Sequence, residues 1–137
     1  MKYHTNLLHD EGFKVGLDKA VEIAASIPSK KVYMKFLNLN QTEGVMQKIF
    51  GEEVAKYFKK HKEISLVKNV ILYLETDKLK KNNLKEGVIF LPWAISKDLL
   101  DYVHYSGIEH SVYTPYTHEE LSNYIDDYPD SKLIDKS

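Results

Sequence analysis

The sequence predicts an α/β fold: a three-layer sandwich in which a small, mostly parallel sheet of four or five strands is flanked by helices. Three observations predict it. Two apolar runs, 70–74 (VILYL) and 88–91 (VIFL), show no polar alternation, the pattern of strands covered on both faces. Stretches with one apolar helical face alternate with these runs along the chain. The length, 137 residues with 43% hydrophobic content, suffices for one core. The architecture is Rossmann-like, without a glycine-rich phosphate loop. Glycines and prolines are few and scattered, so residues 1–137 read as a single domain.

The elements follow in order. Residues 2–6 favour a short strand through Tyr3 and Thr5. Residues 7–16, with Gly12 and Gly16, read as a loop. Leu17, Ala20, Val21, Ala24 and Ile27 recur at helical spacing, and Pro28 stops that helix. Val32, Met34 and Phe36 mark a strand. Asn40 and Glu43 have capping-box spacing and open a helical stretch to about 61, which Gly51 divides. The core strands, 67–75 and 88–91, are expected side by side. Residues 76–86 between them are near the lower limit for a parallel crossover. The link is therefore either a short helix or the turn of an antiparallel pair. Ser96 caps a helix containing Leu99, Leu100 and Val103, with Gly107 at its end. Residues 109–114 are half polar, hence nearer an edge. Thr117 and Glu120 form a capping box. Leu121, Tyr124, Ile125 and Tyr128 make the buried stripe of the last helix, and residues 131–137 read as a frayed tail.

Composition excludes some chemistry. There is no cysteine, so disulfides, thiol catalysis and thiolate metal sites are ruled out. All 19 basic residues are lysine. Arginine is the usual bidentate grip on phosphate and on guanine. The lysine runs near 59–62 and 78–81 lack interleaved aromatics, so nucleic acid is not an expected partner. No apolar run approaches membrane-spanning length. No secretory signal is evident at the start, which makes the cytoplasm the expected compartment. Dinucleotide, P-loop, nucleophile-elbow and zincin motifs are all missing. No cofactor is therefore expected. His9-Asp10-Glu11 is too common a grouping to assign a metal, and Asp126, Asp127 and Asp130 read first as a solvated helix face.

Two functional readings remain. The first is a non-catalytic binding or regulatory module acting through protein contacts, with a protein partner or a second copy of itself. Ten tyrosines and an uneven charge distribution favour it: residues 56–85 are lysine-rich, whereas 98–131 carry eight acids and no lysine. The alternative is a small enzyme or sensor that binds a nucleotide-like or anionic molecule at the carboxyl ends of the strands. Those ends supply Asn38, Asn40, Thr76, Asp77, Trp93, Thr114, Tyr116 and Thr117, with His118 beside them. Helix starts near Asn40, Ser96 and Thr117 would receive an anion. The competing reading makes the polar residues ordinary caps and the aromatic ones packing.

Overall fold

A computed structural model describes residues 1–35, 39–75, 86–93 and 108–134. Its strands are β1 (Lys2–His4), β2 (Lys31–Lys35), β3 (Glu63–Ser65), β4 (Ile71–Glu75), β5 (Gly87–Pro92), β6 (Ile108–Thr114) and β7 (Lys132–Leu133). Its helices are α1 (His9–Ser26), α2 (Leu39–Phe50), α3 (Glu52–His61) and α4 (His118–Asp127). The sheet order is β3-β4-β2-β5-β6-β1-β7, and every pairing is parallel except β3 with β4. The result is the expected α/β sandwich, widened to seven strands by the short edges β3 and β7.

Strand alternation sorts the two faces. Leu72, Met34, Val88, Phe90 and Val112 share one core with Phe13, Leu17 and Ala20 of α1 and with Val45, Met46 and Phe58 of α2 and α3. Tyr33, Ile89, Leu91 and Tyr113 project to the other face and are also buried. There Tyr124 of α4 stacks on Tyr113, with ring centroids 4.1 Å apart and planes 10° apart. Burial on both faces is what the unalternating run 88–91 required; in 70–74 the second face, Ile71 and Tyr73, is only half-buried.

Several local expectations are corrected. Residues 7–16 are not a loop: α1 begins at His9, and Gly12 and Gly16 lie inside it because other chain atoms pass close by. A Cβ on Gly16 would collide with Thr114 Cγ2 and lie 2.8 Å from Phe90 Cε1. The two core runs do not lie side by side. Both β4 and β5 pair with β2, which runs between them, so they are parallel to each other. Burial on both faces is the same in either strand order, so composition did not distinguish them. The strand expected over 67–75 starts only at Ile71, after a 3-10 turn at Val67–Asn69. β6 is an interior strand between β5 and β1, although Ser111 and Thr114 are polar; both are buried. The tail is not frayed at 132–133, where β7 pairs with β1. Ile125 is exposed rather than part of the α4 stripe. The helix expected from Ser96 and the link over 76–86 fall largely outside the described residues.

Other expectations hold. Gly51 separates α2 from α3 with φ 90°, a conformation glycine adopts without strain. Thr117 and Glu120 form the full capping box: Thr117 Oγ1 accepts from the Glu120 amide at 3.2 Å, and Glu120 Oε2 accepts from the Thr117 amide at 3.1 Å.

The C-terminal segment is held by a small polar network. The Ile134 amide donates to the His4 carbonyl at 2.7 Å. His4 Nδ1 and the Tyr124 hydroxyl meet Ser131 Oγ at 2.8 and 3.0 Å. Burial holds the His4 imidazole below its ordinary 6.5, because charging it there costs hydration. The unfolded chain then binds the proton first. The contribution of neutral His4 is complete above pH 6.5 and is lost as pH falls through the lower folded value. The melting temperature is expected to drop between about pH 7.5 and about pH 5, and less steeply in His4→Gln. Thermal unfolding across that range checks it; equal slopes for the two proteins would remove His4 as the source.

Candidate ligand-binding cleft

Parallel strands place all their carboxyl ends on one rim of the sheet. β1 leads into α1 and β2 leads into α2, while β5 and β6 lie between those two strands. Both helices pack on the same face. β6 instead leads into α4 on the opposite face. A crevice therefore opens between the start of α1 and α2, above the ends of β5 and β6. This is the position where open α/β sheets hold ligands. Here it is a cleft of about 450 Å³, lined by His9, Asp10, Val45, Lys48, Trp93 and Tyr116, with Gly44 in its wall.

Each wall has a local cause. Trp93 directly follows β5 and has φ 57°, a left-handed conformation that is strained for a bulky side chain. The strain is held by tertiary contacts. The Trp93 amide donates to the Thr114 carbonyl at 2.7 Å, and its indole Nε1 donates to the His9 carbonyl at 3.3 Å. Its ring lies 5.7 Å from Phe13 and 5.2 Å from Tyr116. His9 is also left-handed, at φ 55°. The cleft thus holds two such residues bonded to one another, whereas Lys30, Lys62, Lys68 and Asn69 have the same backbone sign in turns elsewhere. Strain of this kind concentrates where a fold positions groups for function.

Three features set the chemistry. First, the N-cap of α1 is Leu8, which provides no side-chain acceptor for the first-turn amides. His9 and Asp10, the first two residues of this 18-residue helix, line the cleft, so the first turn lies there without a side-chain cap, its dipole met by Asp10 and Glu11. Second, Lys48 projects from α2 one turn beyond Gly44 and pairs with Asp10 at 2.7 Å. The hydrogen bond and charge of Asp10 hold its ammonium above the ordinary value. Third, Tyr116 is 44% exposed and offers a ring at the mouth, edge-on to His9 at 4.3 Å. A Cβ on Gly44 would have no atom within 4 Å, so this wall is open space. A second cleft of about 420 Å³, with Leu17, Val21, Ile49, Phe50 and Leu66 in its walls, lies toward the amino end of β4 and is mostly apolar.

Of the residues picked from sequence, Trp93 and Tyr116 line the cleft. Thr114 is fully buried against α1, next to Gly16, and only its carbonyl reaches Trp93. The Thr117 hydroxyl is engaged in the helix cap, and His118 is exposed at the start of α4. Asn40 lies in the first turn of α2. Asn38, Thr76, Asp77 and Ser96 lie outside the described residues. Lys48, Gly44 and Asp10 were missed as ligand-site residues. Asp10 lies in the first turn after β1, where the sequence shows it only as part of the His9-Asp10-Glu11 cluster; Gly44 lies mid-way along α2 and Lys48 in its last turn, where no local signal marks them. Among the described residues no group of three or more His, Asp or Glu side chains converges to hold a metal ion.

No protein-family model matches this chain, nor does any curated protein match it in sequence. Among solved structures it is similar to the crystal structure of the IBV X-domain at pH 8.5, a viral protein. The TM-score is 0.51 and the identity 14%, over 93% of this chain and 98% of that one. The likeness shows the fold: a macro-domain-like, Rossmann-like three-layer sandwich. No helix among the described residues is long and apolar enough to cross a membrane.

Proposed function

We propose that this chain is a binding module that seats a small anionic, ring-bearing molecule, nucleotide-like in chemistry, at the carboxyl rim of its sheet. One observation carries the reading: the uncapped start of α1, the Lys48 ammonium and the exposed Tyr116 ring converge on one cleft. Helix amides and a lysine suit phosphate or carboxylate oxygens, and they need no arginine. The tyrosine face suits a planar ring. Asp10 is the group an anion must contend with, and Lys48 would exchange its Asp10 partner for the ligand.

The experiment is a thermal-shift panel of nucleoside mono- and diphosphates, nucleoside-diphosphate sugars, sugar phosphates and divalent cations. A ligand at about 100 times its Kd stabilises by about 2.7 kcal/mol, several degrees in Tm. Lys48→Ala and Tyr116→Ala are each expected to weaken the response about tenfold or more in apparent Kd, the scale of one lost charge-assisted contact and of one lost ring stack respectively. Gly44→Phe fills the open wall and is expected to abolish the response while leaving the unliganded Tm unchanged or slightly raised, since Gly44 lies exposed inside α2. A panel without any shift, or a shift that survives Gly44→Phe, removes this reading.

A further inference from the structure

The sheet order separates two charged poles that lie apart in the chain. α3 packs on β3 at one edge, and α4 leads through Ser131 into β7 at the other. The β3 edge carries Lys56, Lys59, Lys60, Lys62 and Lys68 against Glu52, Glu53 and Glu63, with Lys56 paired to Glu52 at 3.2 Å, and it keeps an excess of positive charge toward the carboxyl end of α3. The β7 edge carries Glu119, Glu120, Asp126, Asp127 and Asp130 against Lys132 and Lys2, the latter paired to Asp130 at 3.0 Å, and it keeps an excess of negative charge. Seven strands set these edges on the order of 30 Å apart. That is several Debye lengths at physiological salt, so the poles do not neutralise each other within one molecule.

Each pole also exposes apolar surface on a helix. On α3, Val54, Tyr57 and His61 fall on one face; Val54 and Tyr57 are 39% and 53% exposed, and the Tyr57 and His61 rings lie 4.2 Å apart. On α4, Glu119, Ser122, Ile125 and Asp126 share an outer face, with Ile125 41% exposed. The last turn of α4 holds Asp126 and Asp127 and no basic residue, an arrangement the helix dipole disfavours. A lysine-bearing face laid against that turn would relieve it.

We propose that the protein associates with itself head to tail, the α3 face of one copy docking on the α4 face of the next. The occupant is a second copy because the chain carries its own complement, in charge and in apolar residues, at opposite edges. The net charge of −1 and the absence of arginine argue against a polyanion as the partner. The contact is heterologous, so it builds rings or open chains rather than a two-fold dimer. One helix against one helix buries less than the roughly 1,200 Å² of a stable interface, so the association is weak and salt-sensitive. It is independent of the cleft.

Sedimentation velocity at roughly 0.1–1 mM protein, in roughly 20 mM and roughly 500 mM salt, tests it. The weight-average mass is expected to rise about twofold or more over the monomer at low salt and to return to monomer at high salt. Lys56→Glu/Lys60→Glu and Asp126→Lys/Asp127→Lys are each expected to be monomeric at low salt. An equal mixture of the two restores opposite charges at every contact and is expected to regain the wild-type mass, which also shows that both variants fold. A wild-type protein that stays monomeric, reversals that still associate, or a mixture that stays monomeric overturns the proposal. So does a monomer retained on immobilised single-stranded DNA at low salt through Lys56 and Lys60, which would make a polyanion the partner.

Discussion

Phe90→Ala is expected to cost about 3–5 kcal/mol of folding stability, the range for emptying a buried aromatic site. Phe90 is fully buried on interior strand β5, its ring 5.2 Å from Phe13 and directly beneath Gly16 of α1. The void would open between helix and sheet, where interior strands and an 18-residue helix leave little freedom to collapse. Domains of this size hold about 5–15 kcal/mol in total, so the variant loses a large part of it. Urea unfolding measures the loss. Phe13 also packs 5.7 Å from Trp93, the one tryptophan, so its fluorescence should report loosening at the cleft. A loss below about 1 kcal/mol would mean that Phe90 does not fill the space assigned to it.

The parts of this fold that were legible in the sequence are those set by neighbours along the chain. The unalternating run at 88–91 required cover on both faces and has it, whereas in 70–74 Val70, Leu72 and Leu74 are buried and Ile71 and Tyr73 only half-buried. Gly51 breaks a helix where it was expected to, and Thr117 with Glu120 caps one. What was not legible depends on distant partners. Nothing local distinguishes a glycine that permits a loop from one that admits Thr114 and Phe90 against a helix, so Gly16 was misread. Strand order is likewise non-local, so nothing in the runs themselves places β2 between β4 and β5. Ser111 and Thr114 made β6 look like an edge because their burial is imposed by β1 and β5. The cleft divides in the same way. Trp93 and Tyr116 follow strand ends and could be found by rule; Lys48 and Gly44 lie inside a helix and join the site only through the crossing of α2 over the rim.

Gly16→Ala is expected to destabilise by about 1–3 kcal/mol, the usual cost of overpacking a filled core. The sign is the informative part. On an exposed helix the same change stabilises by about 1 kcal/mol, because alanine has the higher helix propensity. At Gly16 the new methyl group would meet Thr114 Cγ2 and Phe90 Cε1, both on interior strands that cannot retreat without disturbing the sheet. The Thr114 side identifies the mechanism. Thr114→Ser removes the colliding methyl and leaves the hydroxyl, so in that background Gly16→Ala should cost less by about 0.5–1 kcal/mol, a coupling within the range for residues in contact. Recovery stays partial because Phe90 Cε1 still lies 2.8 Å from the new carbon. Denaturant unfolding of the two single variants and the double variant closes the cycle. If Gly16→Ala raised stability, or the two changes were simply additive, then α1 would not sit on the sheet at the separation described, and the cleft between its first turn and Trp93 would lose its wall.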